Sequence, residues 1–470
     1  MTYEEALRYL LALGSELAAP RQPVPKGFEG AKAVKFDLHN ITVLADRLDS
    51  PHRASPCAHI AGTNVKGSTA AMLDSILRHA GLVTCLYTSP HLERINERIR
   101  IQGEEIADSA FAEAFTRVHA FIEVMLASGT LAAHPTYFEC LTAMAFDAFA
   151  RARVDFTVYE VGMGGRLDST NIVTPEVAVI TQIDFDHENY LGHSIHEIAV
   201  EKAGIIKPGA RVVSSAERPE ARAVIRRKCK EMEASLIEID VSYRVSDTVV
   251  GATLGSPAGG ASPAPTRVSV RDLHCNWQLE LTIPLLGRYQ VRNAVAAVAA
   301  ARVLAAHGFA ISNSALREGI ANVRWPGRLE LLQRDPLVYL DGTHNPAGAR
   351  ELLAFWHEQF PGRNIHLLYG AVRDKAVDEI TGLLFPHAAR VTLTQPNQPR
   401  AISASVLREM TSHHGVATEI IANPGVALER AIARAAPEDV VFVTGSLYLV
   451  GDLRRWWKSR RQPRATERTA

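Results

Sequence analysis

Residues 59–69, with the sequence HIAGTNVKGST, constrain the fold of this chain more than any other segment. The apolar start suits a buried strand, a glycine-containing turn follows, and residues 70–79 have the periodicity of a helix. In such a strand–turn–helix unit, backbone N–H groups and the helix N-terminus face phosphate oxygens. Lys66 would then reach the β- and γ-phosphates, and Ser68 or Thr69 the accompanying magnesium ion. The competing interpretation is an ordinary strand-to-helix turn without a ligand.

Val65 departs from the usual phosphate-binding loop, which has glycine immediately before the lysine. If the backbone there must adopt a positive φ, a β-branched residue is strained. If φ is negative, the valine Cβ crowds the phosphates. The sequence therefore predicts either a slightly different loop path or a weaker grip on ATP.

Strand and helix patterns alternate along most of the chain. Apolar, β-branched runs such as 156–161 and 177–181 are typical of buried parallel strands, and helical patterns lie between such runs. This order predicts an α/β fold with a mostly parallel sheet that is covered by helices on both faces. The alternation breaks near Trp325–Arg328 and restarts with a strand pattern at 337–340.

The break predicts two domains, 1–327 and 328–457. Residues 251–266 are rich in Gly, Ser, Ala and Pro, which predicts a flexible loop between short antiparallel strands. Residues 458–470 are polar and are expected to form a disordered tail.

The composition excludes several classes of protein. Lys plus Arg and Asp plus Glu both number 51, so the basic excess of a nucleic-acid-binding protein is absent. The five cysteines are widely spaced without a CxxC pair, which argues against a thiolate zinc site and suits a reducing cytoplasm. The longest apolar stretch, 294–306, contains Arg302 and is too short to cross a membrane. We expect a cytoplasmic protein, monomeric by default, that binds neither nucleic acid nor membranes.

Six segments occur in an order that is characteristic of one enzyme family. They are GTNVKGS at 62–68, TSPHL at 88–92 with NERI at 96–99, EVGMGGRLDSTN at 160–171, DH at 186–187 with LG at 191–192, EKAGI at 201–205, and DGTHNP at 341–346. With these segments the chain resembles the bifunctional dihydrofolate synthase/folylpolyglutamate synthase enzymes of the Mur ligase superfamily. The resemblance extends over residues 36–452.

The resemblance implies an N-terminal P-loop ATPase domain of the Mur ligase type and a smaller, Rossmann-like C-terminal domain that closes over ATP. Such enzymes join a carboxylate to an amine at the expense of ATP, through an acyl phosphate. The implied small-molecule partners are ATP, L-glutamate, dihydropteroate and folates. Dihydropteroate would become dihydrofolate, and the γ-carboxylate of folates would be extended with further glutamates.

The implied nucleotide site draws on both domains. The ATP-binding residues that the resemblance implies are Asn64, Lys66, Gly67, Ser68, Asn293, Arg328 and Asp341. The implied catalytic residues are Lys66, Lys202 and His344. An arginine fork at the domain boundary can neutralise phosphate charge. The alternative for Arg328 is a plain surface arginine.

The same resemblance implies two magnesium ions as cofactors. Ser89, Glu160 and His187 would coordinate magnesium, and Lys202, carbamylated by carbon dioxide, would hold a second ion. A lysine must lose its proton to be carbamylated, so its surroundings should lower its pKa. Other interpretations remain for these residues: a charge at a strand end for Glu160, a structural histidine for His187, and a helix-face lysine paired with Glu201 for Lys202.

A pterin subsite is also implied. Thr136 and Phe138 belong to a TYFE segment, and Arg166 and Asp168 to an RLD segment. An aromatic ring can stack on a flat pterin, and a carboxylate can accept its N–H groups. For Phe138 the alternative is packing in a helix core. Ser446, in a late Gly–Ser turn, is implied to lie near the incoming glutamate.

Three other functions compete with the bifunctional ligase. The first is a folylpolyglutamate synthase without the dihydrofolate synthase activity. The second is a related ligase for a UDP-linked cell-wall substrate, for which the residues before the phosphate loop are too few. The third is a nucleotide-binding protein whose turnover is impaired by Val65.

Overall fold

The computed structural model describes residues 1–14, 37–249, 264–373 and 375–461. Most of the loop predicted at 251–266 therefore lies outside the described residues, although Thr266 already belongs to a strand. Residues 462–470 also lie outside. The last helix of the described residues ends at Arg461. The predicted start of the disordered tail, at residue 458, is therefore wrong.

An eight-stranded sheet forms the centre of the N-terminal domain, in the order β4-β3-β2-β5-β1-β6-β7-β8. Its strands are β1 (Cys57–Ala61), β2 (Thr84–Tyr87), β3 (Ile99–Ile101), β4 (Glu104–Glu105), β5 (Phe156–Glu160), β6 (Val177–Ile180), β7 (Arg211–Ser214) and β8 (Ser235–Glu238). Six strands are parallel, and β3 and β4 are antiparallel at one edge. The strand order reverses at β1, which lies between β5 and β6, and ligands bind at such a point in open α/β sheets.

Helices cover both faces of this sheet, as the alternating pattern predicts. The α-helices among the described residues are α1 (Tyr3–Ala12), α2 (His39–Arg47), α3 (Lys66–His79), α4 (Asp108–Ala127), α5 (Tyr137–Ala152), α6 (Glu188–Leu191), α7 (Ile195–Ala203), α8 (Pro219–Glu231), α9 (Ile239–Ser242), α10 (Tyr289–Ala306), α11 (Asn313–Ala321), α12 (Pro346–Gln359), α13 (Val377–Leu384), α14 (Ala404–Thr411), α15 (Pro424–Arg434) and α16 (Leu447–Arg461). One apolar cluster joins the sheet to α3 and α10, and another joins it to α4 and α5. Residues 294–301 of α10 are all buried, because their small side chains allow close packing.

A small antiparallel sheet follows, in the order β11-β10-β9. Its strands are β9 (Tyr243–Val249), β10 (Thr266–Asp272) and β11 (Gln278–Ile283). The antiparallel pairing of β9 with β10 agrees with the strands predicted on either side of the Gly- and Ser-rich segment.

The C-terminal domain contains a six-stranded sheet in the order β12-β13-β17-β14-β15-β16. Its strands are β12 (Glu330–Arg334), β13 (Leu337–Leu340), β14 (Ile365–Tyr369), β15 (Arg390–Leu393), β16 (Thr418–Ile420) and β17 (Val440–Thr444). Only β12 is antiparallel to its neighbour. The predicted boundary at 327/328 lies between the last strand of the small sheet and the first strand of this one.

Helix α16 of the C-terminal domain packs against the N-terminal loop that follows β2. A Cβ added at Gly451 would lie 1.8 Å from the carbonyl oxygen of Leu92, so only glycine allows this approach. Next to it, the Glu93 carboxylate contacts Arg454 and lies 2.7 Å from Lys458 Nζ. The domains are therefore held together beside the loop that carries Ser89.

We expect Gly451→Ala to lower the free energy of unfolding by about 1–3 kcal/mol, because the new methyl group would push α16 away from the Leu92 carbonyl. Denaturant unfolding measures this change. Gly382→Ala in α13 is the matched control: its methyl group would meet only the His414 ring, at 3.3 Å, and alanine favours a helix. Equal stability of the two variants would contradict the close approach.

Candidate active site

A cavity of about 190 Å³ lies between the two domains, at the carboxyl ends of β1 and β5. Most of the residues singled out from the sequence line it. They are Asn64, Lys66, Gly67, Ser89, Glu160, His187, Lys202, Arg328, Asp341, His344 and Ser446. The parallel sheet explains this convergence on the N-terminal side, because loops that leave neighbouring strands at the same edge meet there.

The loop before α3 has the geometry of a phosphate-binding loop. Helix α3 begins at Lys66, and Lys66 Nζ donates to the carbonyls of Gly62 and Thr63, at 3.1 and 3.3 Å. Ser68 Oγ is buried and has no hydrogen-bond partner among the described residues. A cationic amine, a helix N-terminus and an unsatisfied hydroxyl together suit a phosphate with a hard cation.

Val65 adopts the left-handed conformation that the sequence left open, with a φ of 61°. This conformation costs a residue with a Cβ about 1–2 kcal/mol, and a β-branched residue tolerates it poorly. The loop therefore keeps the path that normally uses glycine and holds it under strain.

We expect Val65→Gly to relieve this strain, so that the KM for ATP falls. The free energy of unfolding should rise by about 0.5–1 kcal/mol, since the glycine entropy cost offsets part of the gain. Glu233→Gly is the control, because Glu233 is exposed, has a φ of 51° and does not line the cavity. It should raise stability without changing the KM for ATP. Loss of activity in Val65→Gly would refute this account of the loop.

Glu160 and His187 offer metal ligands on the N-terminal side of the cavity. Glu160 ends β5, is 5% exposed, and accepts a hydrogen bond from the Ser89 backbone N–H at 3.1 Å. Burial, and then the nearby charge of Lys375, lower the pKa of His187 to about 3. Its imidazole is therefore neutral at physiological pH, as a metal ligand must be. A carboxylate, a hydroxyl and a neutral imidazole fit a divalent cation.

Lys202 is buried within the cavity wall. It is 3% exposed, and its Nζ donates to the Gly62 carbonyl at 2.9 Å. Burial, and then repulsion from Lys66, lower the pKa of Lys202 to about 7. The alternative pairing with Glu201 is not formed, because the Glu201 carboxylate binds Arg166 at 2.8 Å. A substantial neutral fraction at pH 7 is what a reactive lysine requires.

Asp186 joins the two domains and was noted in the sequence only as a neighbour of His187. Its Oδ1 lies 2.9 Å from Lys375 Nζ, and its Oδ2 lies 3.7 Å from His344 Nε2 and 3.3 Å from Asn345 Nδ2. Burial alone would raise the pKa of Asp186, but His344 and Lys375 outweigh it and hold the pKa well below its usual range. Asn345 also donates to Asn64 Oδ1 at 2.7 Å. The phosphate loop and the C-terminal domain are thus connected directly.

Asp341 occupies the C-terminal side of the cavity. Its carboxylate accepts hydrogen bonds from the backbone N–H groups of Leu329 and Thr343, each at 2.9 Å. Leu329 follows Arg328, so Asp341 fixes the segment that brings Arg328 into the cavity. The Arg328 side chain lies beside Gly342, where an added Cβ would be 2.4 Å from Arg328 Nη1.

Similarity to known proteins agrees with this geometry. Residues 60–301 match the Mur ligase middle domain, and residues 327–447 match the Mur ligase glutamate ligase domain. The dihydrofolate synthase/folylpolyglutamate synthase of Bacillus subtilis is 34% identical over 424 residues, which cover 90% of this chain and 95% of that protein. The chain belongs to the dihydrofolate synthase/folylpolyglutamate synthase family of Mur ligases. The family resemblance and the α/β fold class predicted from the sequence are therefore confirmed.

Solved structures of this family extend the comparison. E. coli FolC in complex with DHPP and ADP has a TM-score of 0.82 and 30% identity, covering 98% of this chain and 99% of that one. The bifunctional enzyme of Yersinia pestis, complexed with AMPPNP and a Mn ion, has a TM-score of 0.79 and 28% identity, covering 97% and 98%. The chain spans only 49% of a Haloferax volcanii relative, a probable bifunctional folylpolyglutamate synthase/dihydropteroate synthase, with 36% identity over 90% of this chain.

Several predicted site residues of this family member are not among the described residues that line the cavity. Thr136 caps α5 and accepts from the Glu139 backbone N–H at 3.2 Å, and Asn293 donates to Gln290 at 2.8 Å. Phe138 packs beside Gly162, where an added Cβ would be 2.5 Å from its ring. Asp168 accepts from the backbone N–H groups of Met163 and Thr170, at 2.9 and 3.0 Å. Ligand-binding roles for these residues, as for Ser68 and Arg166, stay predictions.

Cavity residues for which the sequence predicts no role include Lys375, Asn345, Arg400 and Tyr448. Arg400 Nη2 donates to Tyr448 Oη at 3.3 Å on the C-terminal side. The available signal for Lys375 was its GAVRDK segment, and for Asn345 the DGTHNP segment. Among the described residues, no helix has the length and apolar content needed to cross a bilayer.

Proposed function

We propose that this protein is an ATP-dependent ligase that adds L-glutamate to dihydropteroate, giving dihydrofolate, and to the γ-carboxylate of folates. The observation that carries the proposal is one cavity in which the loop before α3, the Glu160 carboxylate and the His187 imidazole meet a His–Asp pair from the two domains. Relatives named as bifunctional for these two activities support the choice of substrates.

Phosphate binding is assigned to Lys66, the N-terminus of α3 and Arg328. Lys66 exchanges its two backbone carbonyl partners for phosphate oxygens, whose negative charge gives stronger hydrogen bonds to the ammonium. Arg328 faces the same space from the domain boundary. As the substrate carboxylate attacks the γ-phosphate, charge grows on the transferred group, and these fixed cations stabilise it.

We assign the binding of divalent metal to the side of the cavity that the N-terminal domain forms. Ser89, Glu160 and His187 would hold one magnesium ion, which neutralises phosphate charge when bound. Carbamylated Lys202 would hold a second. The neutral amine of Lys202 attacks carbon dioxide and loses a proton, so that an anionic oxygen ligand replaces a cation. Ser68 Oγ is buried and has no hydrogen-bond partner among the described residues, so a bound phosphate or metal ion would satisfy it.

His344 is proposed to stabilise the acyl phosphate. Its Nδ1 lies 2.8 Å from the Gly342 carbonyl, so that nitrogen must carry a proton. Its Nε2 lies on the side that faces Asp186, 3.7 Å from the carboxylate. The residue lines the cavity from the C-terminal domain, opposite the phosphate loop. Closure of the domains would exclude water, which otherwise hydrolyses the acyl phosphate.

Folylpolyglutamate synthase activity alone is the second candidate. Both oxygens of Asp168 already accept backbone hydrogen bonds, and burial raises the pKa of this carboxyl group against the effect of those bonds. A carboxylate engaged in this way has less capacity to bind a pterin. Impaired turnover through the strain at Val65 is the remaining alternative.

A paired-substrate assay separates these candidates. ADP release is measured with dihydropteroate plus glutamate and with tetrahydrofolate plus glutamate, and the products are identified by mass. Controls omit glutamate. We expect turnover with both substrates and one added glutamyl unit per ADP. Turnover with tetrahydrofolate alone would support the second candidate, and turnover with neither would reject the ligase. A monomeric, cytoplasmic protein without nucleic-acid or membrane partners remains our expectation.

A further inference from the structure

Asp378, His413 and His414 form a cluster of metal-ligand side chains in the C-terminal domain, which we call the DHH cluster. Asp378 lies in the first turn of α13, and the two histidines form the 3-10 turn that follows α14. None of the three lines the cavity between the domains. Neither the ligase reaction nor the family motifs make use of them.

The ligand atoms of the DHH cluster are spaced for a common ion. Asp378 Oδ1 lies 2.8 Å from His413 Nε2 and 3.4 Å from His414 Nε2, and each residue has a ligand atom within 4.8 Å of those of the others. Two ligands that bind zinc at about 2.1 Å and at a tetrahedral angle lie about 3.4 Å apart. A metal ion can therefore enter with small side-chain movements.

The chemistry of the cluster selects the class of metal. Two imidazoles and one carboxylate suit Zn²⁺, Co²⁺ or Ni²⁺, with water in the open positions, whereas Mg²⁺ prefers oxygen ligands alone. The rings of His413 and His414 are only 4.0 Å apart between centroids. A nitrogen of each ring is therefore close enough to the other to bind one ion.

Neighbouring residues hold one ligand in place. His414 Nε2 lies 3.0 Å from Thr381 Oγ1, and the Phe385 ring meets the imidazole edge-on at 6.3 Å. Thr381 Oγ1 also lies 2.8 Å from the Val377 carbonyl, which can accept its proton when His414 turns to a metal. The ligand is thus oriented before binding, and its displaced partner stays satisfied. We propose that the DHH cluster binds one zinc-type divalent ion.

Isothermal titration of the full chain with ZnCl₂ tests the proposal. His413→Ala and Asp378→Asn should each bind one equivalent of Zn²⁺ fewer than the wild type. When Co²⁺ replaces Zn²⁺, the visible absorption band of the bound Co²⁺ should be lost in the same two variants. His387→Ala is the matched control, since His387 is exposed and its Nδ1 lies 3.3 Å from His357 Nε2, in a pair that has no third ligand among the described residues.

The stoichiometry decides the outcome. Any zinc that binds in the cavity between the domains is common to all four proteins and cancels in the comparison. His413 and Asp378 are exposed, and circular dichroism confirms that the variants are folded. Equal stoichiometry in all proteins would overturn the proposal. So would the loss of an equivalent in His387→Ala.

Discussion

Lys202→Ala is expected to reduce kcat/KM by at least about 10²-fold, the scale seen when one fixed electrostatic group is removed from an active site. Lys202 is 3% exposed and lines the cavity beside Glu160 and His187. Its removal leaves the second metal position without its proposed ligand. Steady-state ADP release at varied ATP, with saturating folate, glutamate and Mg²⁺, measures the loss in kcat/KM for ATP.

Chemical rescue distinguishes a carbamate from a simple lysine. Short carboxylates such as acetate or formate should restore part of the activity of Lys202→Ala, because they supply the missing anionic oxygen ligand. Lys207→Ala is the matched control. Lys207 is also partly buried, burial lowers its pKa, and its Nζ donates to a backbone carbonyl at 2.8 Å, but it does not line the cavity. Activity close to wild type in Lys202→Ala would reject the carbamate.

The lowered pKa of Lys202 also predicts a pH dependence of stability. In the folded protein without carbamate, burial lowers this pKa from 10.5 to about 7, so between these values the unfolded chain binds more protons. The free energy of unfolding therefore rises with pH across that window. Lys202→Met should be more stable than the carbon-dioxide-free wild type below pH 7, and the difference should shrink towards pH 10. A constant difference would contradict the buried, neutral amine.

Asp186→Asn is expected to lower the free energy of unfolding by about 3–5 kcal/mol, because breaking a buried ion pair leaves a charge without its partner. We expect kcat/KM to fall by about 10²–10³-fold, the scale seen when one fixed electrostatic group is removed from an active site. The Lys375 ammonium would be left 8% exposed without its anionic partner, and His344 would lose the carboxylate that faces its Nε2. Steady-state kinetics and denaturant unfolding should both report the change.

A double-mutant cycle tests whether the effect of Asp186 acts through Lys375. Lys375→Met removes the unpaired charge, so the double variant should be more stable than Asp186→Asn alone. Asp147→Asn is the matched control. The Asp147 side chain is 8% exposed, against 9% for Asp186, and it also forms ion pairs, with Arg117 and Arg151. Unlike Asp186, it does not line the cavity. It should lose stability while keeping kcat/KM. Additive effects of the two changes would refute the coupling.

The sequence predicted the architecture well because the signals are local. Buried parallel strands appear as short apolar runs, so β1, β5, β6 and β13 could be placed before the structure was known. The end of α16 was misplaced, because polar residues at 458–461 resemble a tail although they continue a packed helix. Polarity alone does not show where a helix stops.

The site was predicted in part, through motifs that lie at strand ends. Glu160 and Asp341 each follow or end a buried strand, and both line the cavity. The roles of Thr136 and Asp168 stay predictions, since a side chain that caps a helix or turn has the same residue type as one that binds a ligand. Burial and hydrogen-bond partners, which a motif does not contain, separate the two roles.

The amino-acid sequence by itself determined the α/β class, the phosphate loop and its unusual valine, because these depend on residues adjacent along the chain. Only the tertiary structure decided that Val65 is left-handed, that Lys202 is buried against Gly62, and that Asp186 meets Lys375. Asn64 and Asn345 lie 281 positions apart and meet only when both domains have folded. Contacts of this kind depend on packing, which sets both the burial and the charge environment of the site.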